Sequence, residues 1–274
     1  MKKLTAILIC FLLLSNSFLV EAKTSKKIQV GSKAAVLVDL NTGKILFQKD
    51  SHEKLGPAST TKILTAIIIL ERCKLNKVVT VKKDAALQPP SKIYLKNGEK
   101  ITVNNLLYAM MLSSANDAAY ALAEYAGGSV SNFVKMMNKK AKSLGCKDSN
   151  FVNPNGLYEN DQYTSVYDLA LISKYAMKIP KFRQIVDTKN YKIPATNKSK
   201  ARSLVNHNKM LLKSTYYYPG CTGIKTGYTI KSQHTLAASC TKGKKKLLAV
   251  LLGNKVLCYK DAANLFNYGF GLIK

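Results

Sequence analysis

Ser59 and Lys62 stand three residues apart in Pro57-Ala58-Ser59-Thr60-Thr61-Lys62, directly ahead of the apolar run Ile63-Leu64-Thr65-Ala66-Ile67-Ile68-Ile69-Leu70. On a helix this spacing is just under one turn, so the lysine amine projects from the same face as the serine hydroxyl and can reach it. A serine is a weak nucleophile until something removes its proton, and an uncharged lysine can do that. Moving a lysine from a pKa of about 10.4 to near 7 takes roughly 4 to 5 kcal/mol, which burial and a second cation supply together. Pro57 and Ser59 are helix-start residues, and the run behind them is apolar on nearly every face. The stretch therefore reads as a helix buried all round, with Ser59 at its mouth.

The pattern S-x-x-K alone is weak, since it recurs at Ser51 to Lys54 and Ser239 to Lys242 in a chain of 40 lysines. Context sets Ser59 apart. Ser114-Ala115-Asn116 is the single S-x-N, 55 residues on, and Lys225-Thr226-Gly227 is the single K-T-G, 111 residues further. By itself an S-x-N is a polar turn between helices, and a lysine on an edge strand is a plain guard against aggregation. The ordered set of three resembles the combination found in penicillin-binding proteins and, with Asp at the middle position, in class A β-lactamases.

The elements that must position these residues read as follows. Ala34 to Asp39 and Lys44 to Lys49 flank Asn41-Thr42-Gly43, which predicts a β-hairpin with a glycine turn. From about Cys73 to Val205 the character is mostly helical. Thr102 caps a helix from Val103, a second carries Ala118 to Tyr125 and stops at Gly127-Gly128, a third spans Val130 to Leu144, and a fourth runs from Ser165 to Met177 ahead of Pro180. Ser113-Ser114-Ala115-Asn116 is the junction between the first two. Strand character returns at Gly223–Tyr228, His234–Ser239 and Lys246–Leu252, and the chain closes on a helix from Cys258 to Tyr268. The expected fold class is mixed α/β (α+β), with one antiparallel five-stranded sheet made from both chain ends and packed by helices. Its sheet part spans about 32–72 and 206–274, and the helical insertion about 73–205.

The chain has 274 residues, 47% of them apolar, enough for a well-buried core. Met1-Lys2-Lys3, an apolar stretch from Leu4 to Leu14, and Val20-Glu21-Ala22 follow the plan of a secretory signal, with cleavage expected after Ala22. Residues 1–22 would then be the signal, and 23–274 a single catalytic domain acting outside the cytoplasm. Formal net charge is +28, and removing Lys2, Lys3 and Glu21 leaves +27. With only three arginines and no basic-aromatic stripe, nucleic acid is not the expected partner. Attraction to anionic wall polymers or a membrane face is. Five cysteines remain after Cys10 leaves, with no C-x-x-C pair, so neither a disulfide framework nor a zinc site is expected. Cys73, Cys240 and Cys258 are expected as buried thiols, and the five leave room for one disulfide whose pair the sequence does not choose. No metal or cofactor is called for.

Beyond the three motifs, the chain carries Gly56-Pro57-Ala58-Ser59-Thr60-Thr61-Lys62, Met111 to Ala119, Phe151-Val152-Asn153-Pro154-Asn155-Gly156-Leu157, Thr164 to Leu169 and Gly223 to Thr229. Over about residues 32 to 270 it resembles low-molecular-mass penicillin-binding proteins of the serine D-alanyl-D-alanine carboxypeptidase family, peptidase family S11. The resemblance implies the fold shared by DD-peptidases and β-lactamases, and peptidoglycan stems ending in D-Ala-D-Ala as substrate, with β-lactams as inhibitors. It implies that Ser59 attacks the carbonyl between the two D-alanines with Lys62 as base, and that Ser114 relays a proton to the leaving amine. Asn116 would hold the substrate amide. The backbone N–H groups of Ser59 and Tyr228 would form the oxyanion hole, and Lys225-Thr226-Gly227 would take the terminal carboxylate, Lys225 also helping to keep Lys62 neutral.

Two departures stand out. Tyr228-Thr229-Ile230-Lys231-Ser232-Gln233-His234 lacks the Ala-Gly many relatives carry after the K-T-G, so a different local shape is expected there. Many members continue into a second β-rich domain and a C-terminal amphipathic helix, whereas this chain ends at Lys274, so membrane attachment by that route is not expected. Among other readings, a Ser-His-Asp hydrolase would need one of His52, His207 or His234 and a G-x-S-x-G elbow, which is absent. A class A β-lactamase resembling its family should carry Ser-Asp-Asn and an omega-loop Glu-x-x-Leu-Asn, and neither is present. A non-catalytic wall-binding protein of the same fold would have no use for a lysine base.

Overall fold

The computed structural model describes residues 28–273, so the expected secretory segment lies outside the described residues. In chain order it places β1 (Ala34–Asp39), β2 (Ile45–Lys49), a 3₁₀ turn (Ala58–Thr61), α1 (Lys62–Arg72), β3 (Val78–Thr80), α2 (Lys83–Ala86) and β4 (Lys100–Thr102). Then come α3 (Val103–Leu112), α4 (Asn116–Gly127), α5 (Val130–Ser143), α6 (Val166–Ala176), α7 (Pro180–Asp187), β5 (Asn190–Ile193) and β6 (Arg202–Val205). The last elements are β7 (Cys221–Thr229), β8 (Gln233–Lys242), β9 (Lys245–Asn254) and α8 (Tyr259–Leu272).

The main sheet has the order β2-β1-β9-β8-β7 and is antiparallel throughout. It is built from both chain ends, as the sequence suggests. Its inner strands are apolar on both faces because both are covered. Val36, Leu248, Val250 and Leu252 point into a large cluster with α1, α3, α4 and α6, while Ala35, Leu37, Leu247, Ala249 and Leu251 point into a second cluster with α8. α8 comes so close that a Cβ on Gly269 would stand 2.7 Å from the Leu37 side chain.

The helices begin where polar caps occur. Thr102, Ser129 and Ser165 each accept a hydrogen bond from the backbone N–H three residues on, which satisfies one of the free donors of the first turn. α5 buries Phe133, Met137 and Ala141, one stripe at a spacing of four, and turns its lysines outward. α1 buries every residue from Lys62 to Ile69.

Residues 73–205 are less purely helical than expected. They contain two small antiparallel sheets, β3–β4 and β5–β6, whose strands of three and four residues are too short to show a period. α6 ends ahead of Pro180 as expected, and Pro180 then opens a further helix, α7, because a proline at the first helical position has no N–H to lose. Ser59 does not cap α1 either: it lies inside the 3₁₀ turn, and α1 starts at Lys62 without a side-chain cap. Cys240 and Cys258 are buried but Cys73 is only half-buried, and all five cysteines of the described residues are free thiols. None of the described helices is long and apolar enough to cross a membrane.

Candidate active site

Ser59 is presented by a tight turn held from several sides. Ala58, just before it, has φ +46°, a left-handed conformation that costs a non-glycine residue of order 1–3 kcal/mol unless its surroundings fix it. Here they do. The Thr60 hydroxyl donates to the Pro57 carbonyl (2.6 Å), the Thr61 hydroxyl to the Ala58 carbonyl (2.8 Å), and Thr235 of β8 donates to Pro57 as well (3.0 Å). Two glycines allow the backbone to close in. A Cβ on Gly227 of β7 would stand 2.7 Å from the Ser59 nitrogen, and one on Gly156 would collide with the Ala58 carbonyl. β7 is the last strand of the sheet, so its second edge is the one that borders this turn.

Lys62 is completely buried. Its Nζ lies 2.9 Å from Ser59 Oγ and 2.8 Å from Asn116 Oδ1, and it also donates to the Asn155 carbonyl. Asn116 Oδ1, as oriented here, and the Asn155 carbonyl can only accept, whereas the third neighbour, a hydroxyl, can also donate. A neutral amine fits this set: two N–H groups go to the two acceptors and the lone pair faces the Ser59 hydroxyl. Burial pushes the Lys62 pKa well below the ordinary lysine range, the Lys225 ammonium adds to the shift, and the Asp117 carboxylate opposes it.

Ser114 and Asn116 come from the junction of α3 and α4. Ser114 has φ +58° and is buried, and Asn116 opens α4. The Asn116 side chain is a bracket: Oδ1 takes the Lys62 amine, while Nδ2 donates to the carbonyls of Pro89 (3.0 Å) and Pro90 (3.1 Å). A substrate carbonyl would have to compete for these N–H groups. Lys225, Thr226, Gly227 and Tyr228 follow one another on β7. Lys225 is buried, its amine donates to the Thr226 carbonyl (2.9 Å), and burial lowers its pKa to about 7. Tyr228 is exposed and packs against His234, the rings tilted by 36° with centroids 4.6 Å apart.

Thus Ser59, Lys62 and Asn116 share hydrogen bonds, Gly227 abuts Ser59, and Lys225 acts electrostatically on Lys62. The histidines take no part in that network. His52 pairs with Asp148 (2.8 Å), His234 packs against Tyr228, and the His207 backbone N–H donates to the Leu112 carbonyl (2.9 Å). Among the described residues, Lys62 is the hydrogen-bond partner of the Ser59 hydroxyl.

Three participants carry no role in the sequence reading. The Asn155 carbonyl fixes Lys62, Gly156 makes room for the Ser59 turn, and the Gln88–Ser91 stretch holds Asn116. Asn155 and Gly156 lie in one of the quoted matching stretches. Asp117, a carboxylate set between Asn116 and Ala118-Ala119 at the start of a helix buried on its first turn, is a local signal that could have been followed.

The family model for D-alanyl-D-alanine carboxypeptidases matches residues 21–256. The chain is 39% identical over 238 residues to the D-alanyl-D-alanine carboxypeptidase DacF of Bacillus subtilis, an alignment covering 85% of this chain and 60% of DacF. It is 33% identical to DacC of Escherichia coli, covering 95% of this chain and 66% of DacC. The chain therefore spans about two thirds or less of the length of these relatives. A solved structure of a mutant Streptomyces K15 DD-transpeptidase superposes with a TM-score of 0.84 at 30% identity, covering 90% of this chain and all of that one. By its family match, its fold and its relatives, the chain belongs to the D-alanyl-D-alanine carboxypeptidase family, peptidase family S11.

Proposed function

We propose that this protein is a serine D-alanyl-D-alanine carboxypeptidase that removes the terminal D-alanine of peptidoglycan stem peptides through an acyl-enzyme on Ser59. The observation that carries the reading is the fully buried Lys62 amine 2.9 Å from Ser59 Oγ, with two acceptors taking its N–H groups. Lys62 takes the Ser59 proton as Oγ bonds to the carbonyl carbon, and the oxyanion that forms is held by the N–H groups of Ser59 and Tyr228. The bond to the leaving D-alanine then breaks, and its nitrogen receives a proton by way of Ser114. Water cleaves the ester and restores Ser59. Lys225 and Thr226 hold the terminal carboxylate, and Gly227 lets β7 lie against the nucleophile turn.

Penicillin offers the same carboxylate and a strained amide, so it acylates Ser59, but its leaving nitrogen stays tethered and obstructs water. The Phe151–Leu157 stretch packed against Ser59 contains no carboxylate to position a hydrolytic water, which favours a peptidase over a β-lactamase. Residues 23–274 would act as one catalytic domain with 73–205 as its insertion, exported by residues 1–22 to the wall or the outer membrane face. Among the described residues only Lys33, Lys140 and Arg202 of the many lysines and arginines pair with a carboxylate, which leaves a basic surface for anionic wall polymers.

Purified residues 23–274 are expected to release D-alanine from a pentapeptide stem and to carry one long-lived penicillin adduct on a peptide containing Ser59. No D-alanine from folded protein between pH 6 and 10 would reject the carboxypeptidase. Catalytic turnover of bulk penicillin would make it a β-lactamase.

A further inference from the structure

Asp117 is a fully buried carboxylate next to the S-x-N motif that the reaction as described leaves without a task. It accepts from the backbone N–H of Ile93 (3.2 and 3.1 Å to its two oxygens), Leu95 (3.0 Å) and Ala118 (2.9 Å). The segment it grips is the one that holds Asn116. Two residues upstream of Ile93, the Ser91 carbonyl accepts from the Asn116 backbone N–H (2.7 Å), and the Pro89 and Pro90 carbonyls accept from the Asn116 side chain. Gln88, at the head of the same segment, accepts from Asn155 Nδ2 (2.9 Å), the residue whose carbonyl holds Lys62. Residues 88–95 have no regular secondary structure of their own, so their path depends on these side-chain contacts.

We propose that Asp117 is a positioning residue for the base: by fixing the backbone at Ile93 and Leu95 it sets the Pro89–Ser91 carbonyls that orient Asn116, and through Asn116 the Lys62 amine. The reading rests on Lys62 acting as the base of Ser59. Two charged groups act on that amine, Lys225 from β7, which disfavours its protonation, and Asp117 from α4, which favours it; the pKa of His207, from the segment after β6, is held low by burial and by the two lysines. Burial pushes the Asp117 pKa up, while the three backbone N–H groups and the Arg202 guanidinium favour its anion. As an anion, Asp117 favours protonated Lys62, so it tunes the base as well as holding it.

The test is the second-order rate of acylation by a fluorescent penicillin from pH 5 to 10, normalised to folded protein. In Asp117→Asn the plateau should fall at least about threefold, because one backbone donor now meets an amide N–H. Its acid limb should also move to lower pH, by about half a unit, since the anion opposing deprotonation of Lys62 is gone. Glu99→Gln is the structural control. It breaks the buried pair with Arg202 just beyond that segment, where Glu99 accepts from the Lys96 N–H, and it should lower Tm while leaving both features in place. Either change in Asp117→Asn without the other overturns the proposal. Should that variant not fold, Asp117→Glu decides: charge kept and reach altered, its plateau should fall at least about threefold with the acid limb unmoved, and a smaller fall overturns the proposal. A wild-type protein that penicillin does not acylate would instead reject Lys62 and Ser59 as the reacting pair.

Discussion

The two buried lysines of the cleft, Lys62 and Lys225, differ in what surrounds them. Lys62 has a full set of neighbours without any ligand: two oxygens that accept and one hydroxyl that can give up its proton. Lys225 is as deeply buried, yet its hydrogen-bond partner is the carbonyl of the next residue, Thr226. A buried ammonium with one neutral acceptor is poorly compensated, which is why burial alone brings Lys225 to about 7. The first environment suits an amine that takes a proton, and the second suits one awaiting an anion. Chemical type and burial are the same, so the difference in role comes from the neighbours.

Exchanging the side chains should separate these roles. The largest effect is expected for Lys62→Arg, because a guanidinium is not deprotonated at these pH values and cannot accept the Ser59 proton. Acylation should fall by about 10²–10⁴-fold with the fold retained, measured with penicillin and by D-alanine release. Retention of more than about a tenth of wild-type acylation, a loss under about 1.4 kcal/mol, would remove lysine as the base. Lys225→Ala should cost less, about 10- to 150-fold in kcat/KM, the value of charge-assisted hydrogen bonds to a carboxylate. That loss should appear mainly in KM, and it should vanish for a substrate whose terminal carboxylate is replaced by a neutral amide.

The smallest and most selective change concerns pH. Peptide turnover needs Lys62 neutral and Lys225 charged, so kcat/KM should rise as Lys62 deprotonates and fall again as pH passes the Lys225 value of about 7. The two amines influence each other, so the limbs belong to the pair. Lys225→Arg keeps its charge throughout and should lose the descending limb while retaining part of the activity. A wild-type profile still climbing at pH 9 would contradict an Lys225 that titrates near neutrality.

The same contrast marks how far the sequence could be read. The sheet was legible because Ala34 to Asp39 and the three late strands are long enough to show their pattern, and S-x-x-K, S-x-N and K-T-G point to Ser59, Lys62, Asn116 and Gly227, which the structure brings together. The neighbours that distinguish Lys62 from Lys225 were not legible. The Asn155 carbonyl is backbone, which every residue possesses, and its arrival beside Lys62 depends on a fold that joins positions 93 residues apart. Ala58 gives no sign of its left-handed φ, since that conformation is imposed by Thr235, Gly156 and Gly227 from elsewhere in the chain. The helix that Pro180 opens was missed because the same ring that bounds one helix can begin another.

The register of the central strands bears on when the protein becomes active. Ala34 pairs with Leu252 and Asp39 with Leu247, so β1 must wait for more than two hundred further residues before its inner partner exists. Until then it has only the β2 hairpin, and an isolated hairpin is marginal in water. Such long-range closure is slow and comes late in folding. Lys225 and Gly227 also arrive on β7, after Ser59, Lys62 and Ser114 have all been synthesised. A ribosome-bound or partly threaded chain therefore has the proposed nucleophile without the strand proposed to bind the carboxylate, and without the β7 and β8 residues that hold the Ser59 turn. For the exported hydrolase proposed above, this order of assembly would keep the polypeptide pliable in transit and catalytically silent until its last third has emerged.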